Sequence, residues 1–150
     1  MMSIIGPDVF LGGSCNPTTW RTEIALPMLD EAEISYYNPQ VDDWSPELID
    51  IERKAKAQAC NYLFVIDGQT RAIASMIEAA GLITSMIPEI MYLVVDDIPE
   101  GAEIDGALVS KRELQDLNRG RAYLRAIAEA ADVTVYESVT KAVEAIIADW

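Results

Sequence analysis

A chain of 150 residues, 51% of them hydrophobic, is the size of one domain with a substantial core. Its formal charge of −14, from 25 acidic against 11 basic residues, has the wrong sign for a nucleic acid or an anionic membrane, whose recognition needs clustered Lys and Arg. The chain contains no histidine, which excludes Ser-His-Asp and Cys-His catalysis and His-ligated metals, and no metal or cofactor is expected.

Residues 9–11 form a strand that ends in the turn Gly12-Gly13. From 18 to 32 the spacing of Ile24, Met28 and Leu29 predicts a helix, which Pro27 should kink or restart. A second strand over 34–37 closes at Asn38-Pro39. Ser45-Pro46-Glu47 reads as N-cap, N1 proline and first-turn acid, opening a helix to about Ala59. The unbroken apolar run 62–66 predicts a strand buried on both faces. Asp67-Gly68 ends it, and Thr70 should cap a helix from Arg71 to about Met86. Pro88 separates that helix from a fourth strand, 91–95, which ends at Asp96-Asp97. A loop rich in Pro, Gly and acids fills 98–106. Ser110 starts a long helical segment, interrupted near Gly120, that continues to Ala131. Residues 133–136 form the fifth strand, and Ser138 caps a last helix to Trp150. No repeat or linker divides residues 1–150, so one domain is expected.

Strands alternating with helices imply right-handed crossovers and an α/β, doubly wound, five-stranded parallel sheet, for which we expect the order 2-1-3-4-5. Such sheets bind ligands beyond the carboxyl ends of the strands, at the switch point between strands 1 and 3, which selects the loops 12–19 and 67–71. In the first loop, Gly12, Gly13, Ser14 and Asn16 are candidate contacts, because glycines admit close approach and amides at a helix start receive anions or sugar hydroxyls. A turn that merely needs glycine reads the same, and neither GxGxxG nor a Walker A loop is present. On the helix after Thr70, Arg71, Ser75 and Glu78 fall at i, i+4 and i+7, on one face. A part-buried Glu78 carboxylate with Arg71 as its partner is expected there; a solvated ion pair is the plain alternative. Cys15 and Cys60 lack metal or redox spacing, no signal segment opens the chain, and the apolar runs are too short to span a bilayer. A cytoplasmic protein is expected.

The strings Phe10-Leu11-Gly12-Gly13-Ser14, Trp20-Arg21, Tyr36-Tyr37-Asn38-Pro39-Gln40, Leu63-Phe64-Val65-Ile66 and Thr70-Arg71 with Ser75-Met76-Ile77-Glu78-Ala79-Ala80 occur in that order. Over roughly residues 8 to 136 they resemble the nucleoside 2-deoxyribosyltransferase-like branch of its superfamily, most specifically through 70–80. The resemblance implies a flavodoxin-like fold, cleavage of the N-glycosidic bond of a nucleoside or nucleoside 5′-monophosphate, and a homo-oligomer with shared sites. It implies that Glu78 attacks the anomeric carbon, leaving a glycosyl-enzyme ester that a second base or water resolves. That is double-displacement chemistry, which carboxylates can carry without a metal. Asp67 is the candidate for protonating the departing base, with a turn-forming Asp-Gly as the plain alternative. Glu52 and Asp50 lie near where the family carries another base-contacting acid. Tyr37 can stack a base, Arg71 and Ser75 line the Glu78 face, and Asn118 is the candidate counterpart of a residue supplied by a neighbouring subunit.

One departure stands out. Phe10 occupies the place where the transferases carry a tyrosine that orients the nucleophile, so Tyr36, Tyr37 or Tyr62 would have to supply that hydroxyl. The gap leaves a second reading open, a non-catalytic module that senses a nucleotide-derived ligand in the same pocket. A receiver-like signalling domain is disfavoured, because strand 1 lacks an acidic pair at its end. The enzymatic reading requires Glu78 to project into a ligand-sized cavity beside Gly12-Gly13.

Overall fold

The computed structural model describes residues 6–85 and 90–150. Five parallel strands form one sheet in the order β2-β1-β3-β4-β7: β1 (Val9–Gly13), β2 (Tyr36–Tyr37), β3 (Asn61–Ile66), β4 (Met91–Val95) and β7 (Val135–Tyr136). This is the expected 2-1-3-4-5 order of a flavodoxin-like sheet, with β7 as its fifth strand. The central strands β1, β3 and β4 are buried over nearly their whole length, as their unbroken apolar runs require. The edge strands are shorter than expected, since Ile34 and Val133 are buried without joining the ladder.

Strand alternation divides the core in two. Val9, Leu11, Leu63, Val65 and Val94 face α1 (Leu26–Glu31) and α5 (Val139–Asp149). Phe10, Tyr62, Phe64, Ile66 and Leu93 face α2 (Glu47–Gln58), α3 (Ile73–Ser85) and α4 (Lys111–Ala130). Each large side chain enclosed in this way contributes about 1.5–3 kcal/mol. A third, smaller cluster of Ile98, Ile104, Val109 and Leu117 lies under an antiparallel hairpin, β5 (Glu103–Ile104) and β6 (Ala107–Leu108).

Several local expectations need correction. The first helix opens with a π-helical turn, Arg21–Ala25, in which the Leu26 N–H donates to the Arg21 carbonyl. Pro27 has no N–H to continue the α ladder from Glu23, so the wider turn precedes it. Helix α3 begins at Ile73 rather than Arg71, because Ala72 stands at φ 58°, outside helical space. Its expected end at Met86 and the separator Pro88 lie outside the described residues. Helix α4 is not interrupted at Gly120, which lies opposite Met76 of α3. Residues 98–106 are not all loop, since Asp105 and Gly106, both at positive φ, turn the β5–β6 hairpin. Of the expected caps, Ser110 and Ser138 hold, accepting hydrogen bonds from the N–H groups of Glu113 and Lys141, each 3.1 Å. Ser45 and Thr70 do not, since Pro46 is the N-cap of α2 and the Thr70 hydroxyl is buried without a hydrogen bond. No described helix is long and apolar enough to cross a membrane.

Candidate active site

The turn after β1 is built inward. A Cβ on Gly12 would strike the Phe64 ring, and one on Gly13, at φ 110°, would strike the Val65 backbone. Strand packing alone therefore accounts for both glycines. Ser14 is buried; its N–H donates to Val65 O at 2.8 Å, and its hydroxyl accepts from the Asp67 N–H at 3.2 Å. Its carbonyl receives Thr18 Oγ1, Trp20 Nε1 and the guanidinium of Arg21, the last at 2.6 Å. Arg21 is wholly buried, and donates also to Leu11 O from Nε and Nη2 at 3.1 and 3.0 Å. Burial pulls its pKa down, and the negative groups around it oppose that shift. Asn16 accepts from Gln40 Nε2 and donates to the Val41 carbonyl, and faces a polar cavity of about 380 Å³ shared with Thr18, Thr22, Asn38 and Asp42.

On the α2–α3 face of the sheet, four of the expected residues draw together around Phe10. Tyr37 stacks on Phe10 with ring centroids 5.7 Å apart, and Tyr62 meets it edge-on at 6.1 Å. Lys56 of α2 lies over the same ring at 5.6 Å and donates to Glu78 Oε1 at 3.2 Å. Glu52, one turn earlier on α2, is 3.9 Å from the same ammonium. Desolvation raises the Glu52 pKa, opposed by Lys56 and reinforced by Glu78. Desolvation, and then the Glu52 charge, raise that of Tyr37. The Glu78 side chain is 39% exposed and lines neither cavity that flanks the glycine turn, so the expected projection into a cavity beside Gly12-Gly13 is not met by them; α3 sets it against Lys56 of α2 instead. Among the described residues no tyrosine hydroxyl hydrogen-bonds to it: Tyr36 donates to Asp30 Oδ1 at 2.8 Å, and Tyr62 to the Lys56 carbonyl.

Asp67 belongs to the other face. Phe64 and Ile66 point toward α3, so the next position turns toward α1 and α5. There it borders a cleft of about 470 Å³ with Trp20, Glu23, Asp96, Asp97 and Glu137. Its side chain is buried and accepts from the Gln69 N–H at 3.2 Å. Burial raises its pKa, against the hydrogen bonds from Gln69 and Ser14. The same desolvation raises that of Asp96. The structure thus separates the two carboxylates that the sequence placed in one site.

Two further residues are engaged elsewhere. Arg71 precedes α3 and pairs with Glu113 and with Asp105 (3.1 Å) instead of Glu78, because the backbone turn at Ala72 takes it off the helix face. Asn118 spends both ends of its amide on the Ile98 backbone, at 2.8 and 3.0 Å, and so fastens the segment after β4. Ser75 stays one turn before Glu78 on α3, part-buried.

Sequence reasoning missed Lys56 and Arg121. The Glu52–Lys56 spacing of i, i+4 was a visible pair, but only the packing of α2 beside α3 adds Glu78. Arg121 is wholly buried and donates to the carbonyls of Asp67, Thr70, Arg71, Leu117 and Asp96, tying together the ends of β3 and β4. Its signal was a cation within the apolar stripe Leu117, Leu124, Ala128 of α4. Among the described residues no three His, Cys, Asp or Glu side chains group so as to hold a metal ion.

Residues 6–97 match the family model described as nucleoside 2-deoxyribosyltransferase like. The matched segment contains β1 through β4 and both loops of the switch point, and ends before Asn118. No curated protein matches the sequence.

Proposed function

Since the chain belongs to the nucleoside 2-deoxyribosyltransferase-like family, we propose that it cleaves the N-glycosidic bond of a nucleoside or its 5′-monophosphate with Glu78 as nucleophile. Glu78 does not line the cavities beside Gly12-Gly13, so the proposal is carried instead by the meeting of Glu78, Lys56 and Glu52 beside the aromatic pair Phe10 and Tyr37. In the first step, the free oxygen of Glu78 forms a bond to the anomeric carbon while the bond to the base nitrogen breaks. The departing base takes that electron pair and a proton. In the second step, a new base or water attacks the same carbon, and the ester electrons return to Glu78. Glu52, rather than Asp67, lies on the correct face to give the departing base its proton, and burial already favours its protonated form.

The test is incubation with a panel of ribo- and deoxyribonucleosides and their monophosphates, with and without an acceptor base, followed by chromatography of free base. Release by the native protein that falls about 10³-fold or more in Glu78→Ala supports the assignment. Ligand binding without turnover, unchanged in that variant, supports the second reading, a ligand-sensing module, which the absence of a hydroxyl on Phe10 favours.

The homo-oligomer implied by the resemblance has a fitting surface on α3 and α4. Ile73, Ile77 and Tyr123 are 55, 70 and 61% exposed around a groove floored by Met76, Leu124 and Gly120. Arg119 lies over the Tyr123 ring at the border of this patch on α4. Sedimentation should then show Ile77→Glu as a smaller species than the native protein.

A further inference from the structure

We propose that Lys56 is the positioning residue for Glu78, aiming its carboxylate before attack and easing its departure when the glycosyl ester breaks. This rests on the reading of Glu78 as nucleophile. Lys56 is fixed at three points: its carbonyl receives the Tyr62 hydroxyl, its side chain crosses the Phe10 ring, and its ammonium sits between Glu78 at 3.2 Å and Glu52 at 3.9 Å. The side chain is only 24% exposed, so these contacts act in a partly water-free setting. Among the described residues Lys56 is the sole donor to Glu78, and it takes Oε1. The other oxygen is thereby left to face an anomeric carbon.

The two chemical steps use this ammonium differently. Glu78 loses its negative charge when it forms the ester, and Glu52, which becomes charged as it gives up its proton to the base, is then the partner of Lys56. In the second step the carboxylate must leave, and the waiting ammonium stabilises the charge that returns to it. An ammonium bound to the nucleophile therefore restrains the first step slightly and assists the second strongly. A hydroxyl on residue 10 would orient the carboxylate without supplying that charge. Phe10 instead provides an apolar ring that carries the lysine.

The test compares the native protein with Lys56→Met and Lys56→Arg, using the nucleoside whose base the native protein releases. Lys56→Met is expected to show a burst of free base and a glycosyl adduct on Glu78, visible by mass spectrometry of the intact protein, with steady-state turnover about 10²-fold lower. Lys56→Arg, which keeps the cation, should recover most of that loss and accumulate less adduct. A Lys56→Met protein that turns over as fast as native, or slows without adduct, overturns the proposal. Thermal melting of both variants separates a folding defect from either outcome, and Lys56→Gln replaces Lys56→Met should the latter not fold. Absence of base release from the native protein on every substrate would defeat the reading of Glu78 as nucleophile instead. In that case the crystal structure of Lys56→Met decides the positioning claim: a Glu78 carboxylate that keeps its place refutes it, and one that swings into solvent supports it.

Discussion

Two groups of carboxylates border the same sheet edge from opposite faces, and what surrounds them differs. On the α2–α3 face, Glu52 and Glu78 share an ammonium that is itself laid on an aromatic ring. On the α1–α5 face, Asp67 and Asp96 are desolvated, and neither ion-pairs with a Lys or Arg among the described residues. The guanidinium of Arg121 passes close by but is committed to main-chain carbonyls, that of Asp67 included. A nucleophilic carboxylate must stay ionised and accessible, as Glu78 beside the Lys56 ammonium is placed to be, whereas Asp67 is buried and accepts from the N–H of Gln69 in its own turn. On the proposed mechanism, chemistry falls to the carboxylates that share a cation, and Asp67 and Asp96 are left a structural part.

The largest expected effect would break this division outright. Glu78→Gln should lower base release by about 10⁴-fold, roughly 5 kcal/mol at the transition state, while Asp67→Asn keeps activity within about tenfold. Equal losses in steady-state assays would merge the two faces into one site. Next in size is Arg121→Met, which should cost on the order of 3–5 kcal/mol in urea melts by leaving the carbonyls at the ends of β3 and β4 without donors. Gly13→Ala should cost about 2–3 kcal/mol in the same assay, because Val65 leaves no room for a methyl group and φ is positive.

The smallest effect sharpens the contrast through pH. The folded pKa of Asp67 is raised by burial, so the native state holds that proton more tightly than the unfolded chain. Its cost to stability is complete above the raised value and vanishes as pH falls to the ordinary carboxylate range. Asp67→Asn should therefore melt about 2–4 °C higher than the native protein near neutrality, and the gap should close on acidification. A constant gap across that range would show that Asp67 behaves as an ordinary surface acid.

The sheet order was legible because the runs in β3 and β4 are too apolar and too short to be anything but central strands, and the serines at 110 and 138 announced their helices. The site was only partly so. Alternation along β3 already assigns Asp67 and Ile66 to opposite faces, a parity that loop chemistry alone overlooks. The departure of Arg71 from the Glu78 face follows from one positive φ at Ala72, a residue with no propensity for it. Asp105-Gly106 carried a hairpin signal that lay hidden in an acidic stretch. The bond between Lys56 and Glu78 joins positions 22 residues apart, and only tertiary packing creates it.

Arg21 and Arg121 are enclosed, so neither guanidinium can meet a ligand at the surface of a chain whose formal charge is −14. The field met by an approaching solute is accordingly repulsive to anions, with two fewer cations on hand to receive them. A phosphorylated substrate would encounter a barrier that an uncharged nucleoside does not, and dissolved salt would lower it. The ratio of kcat/KM for a monophosphate to that for its nucleoside should climb with ionic strength, so assays in dilute buffer favour the neutral compound.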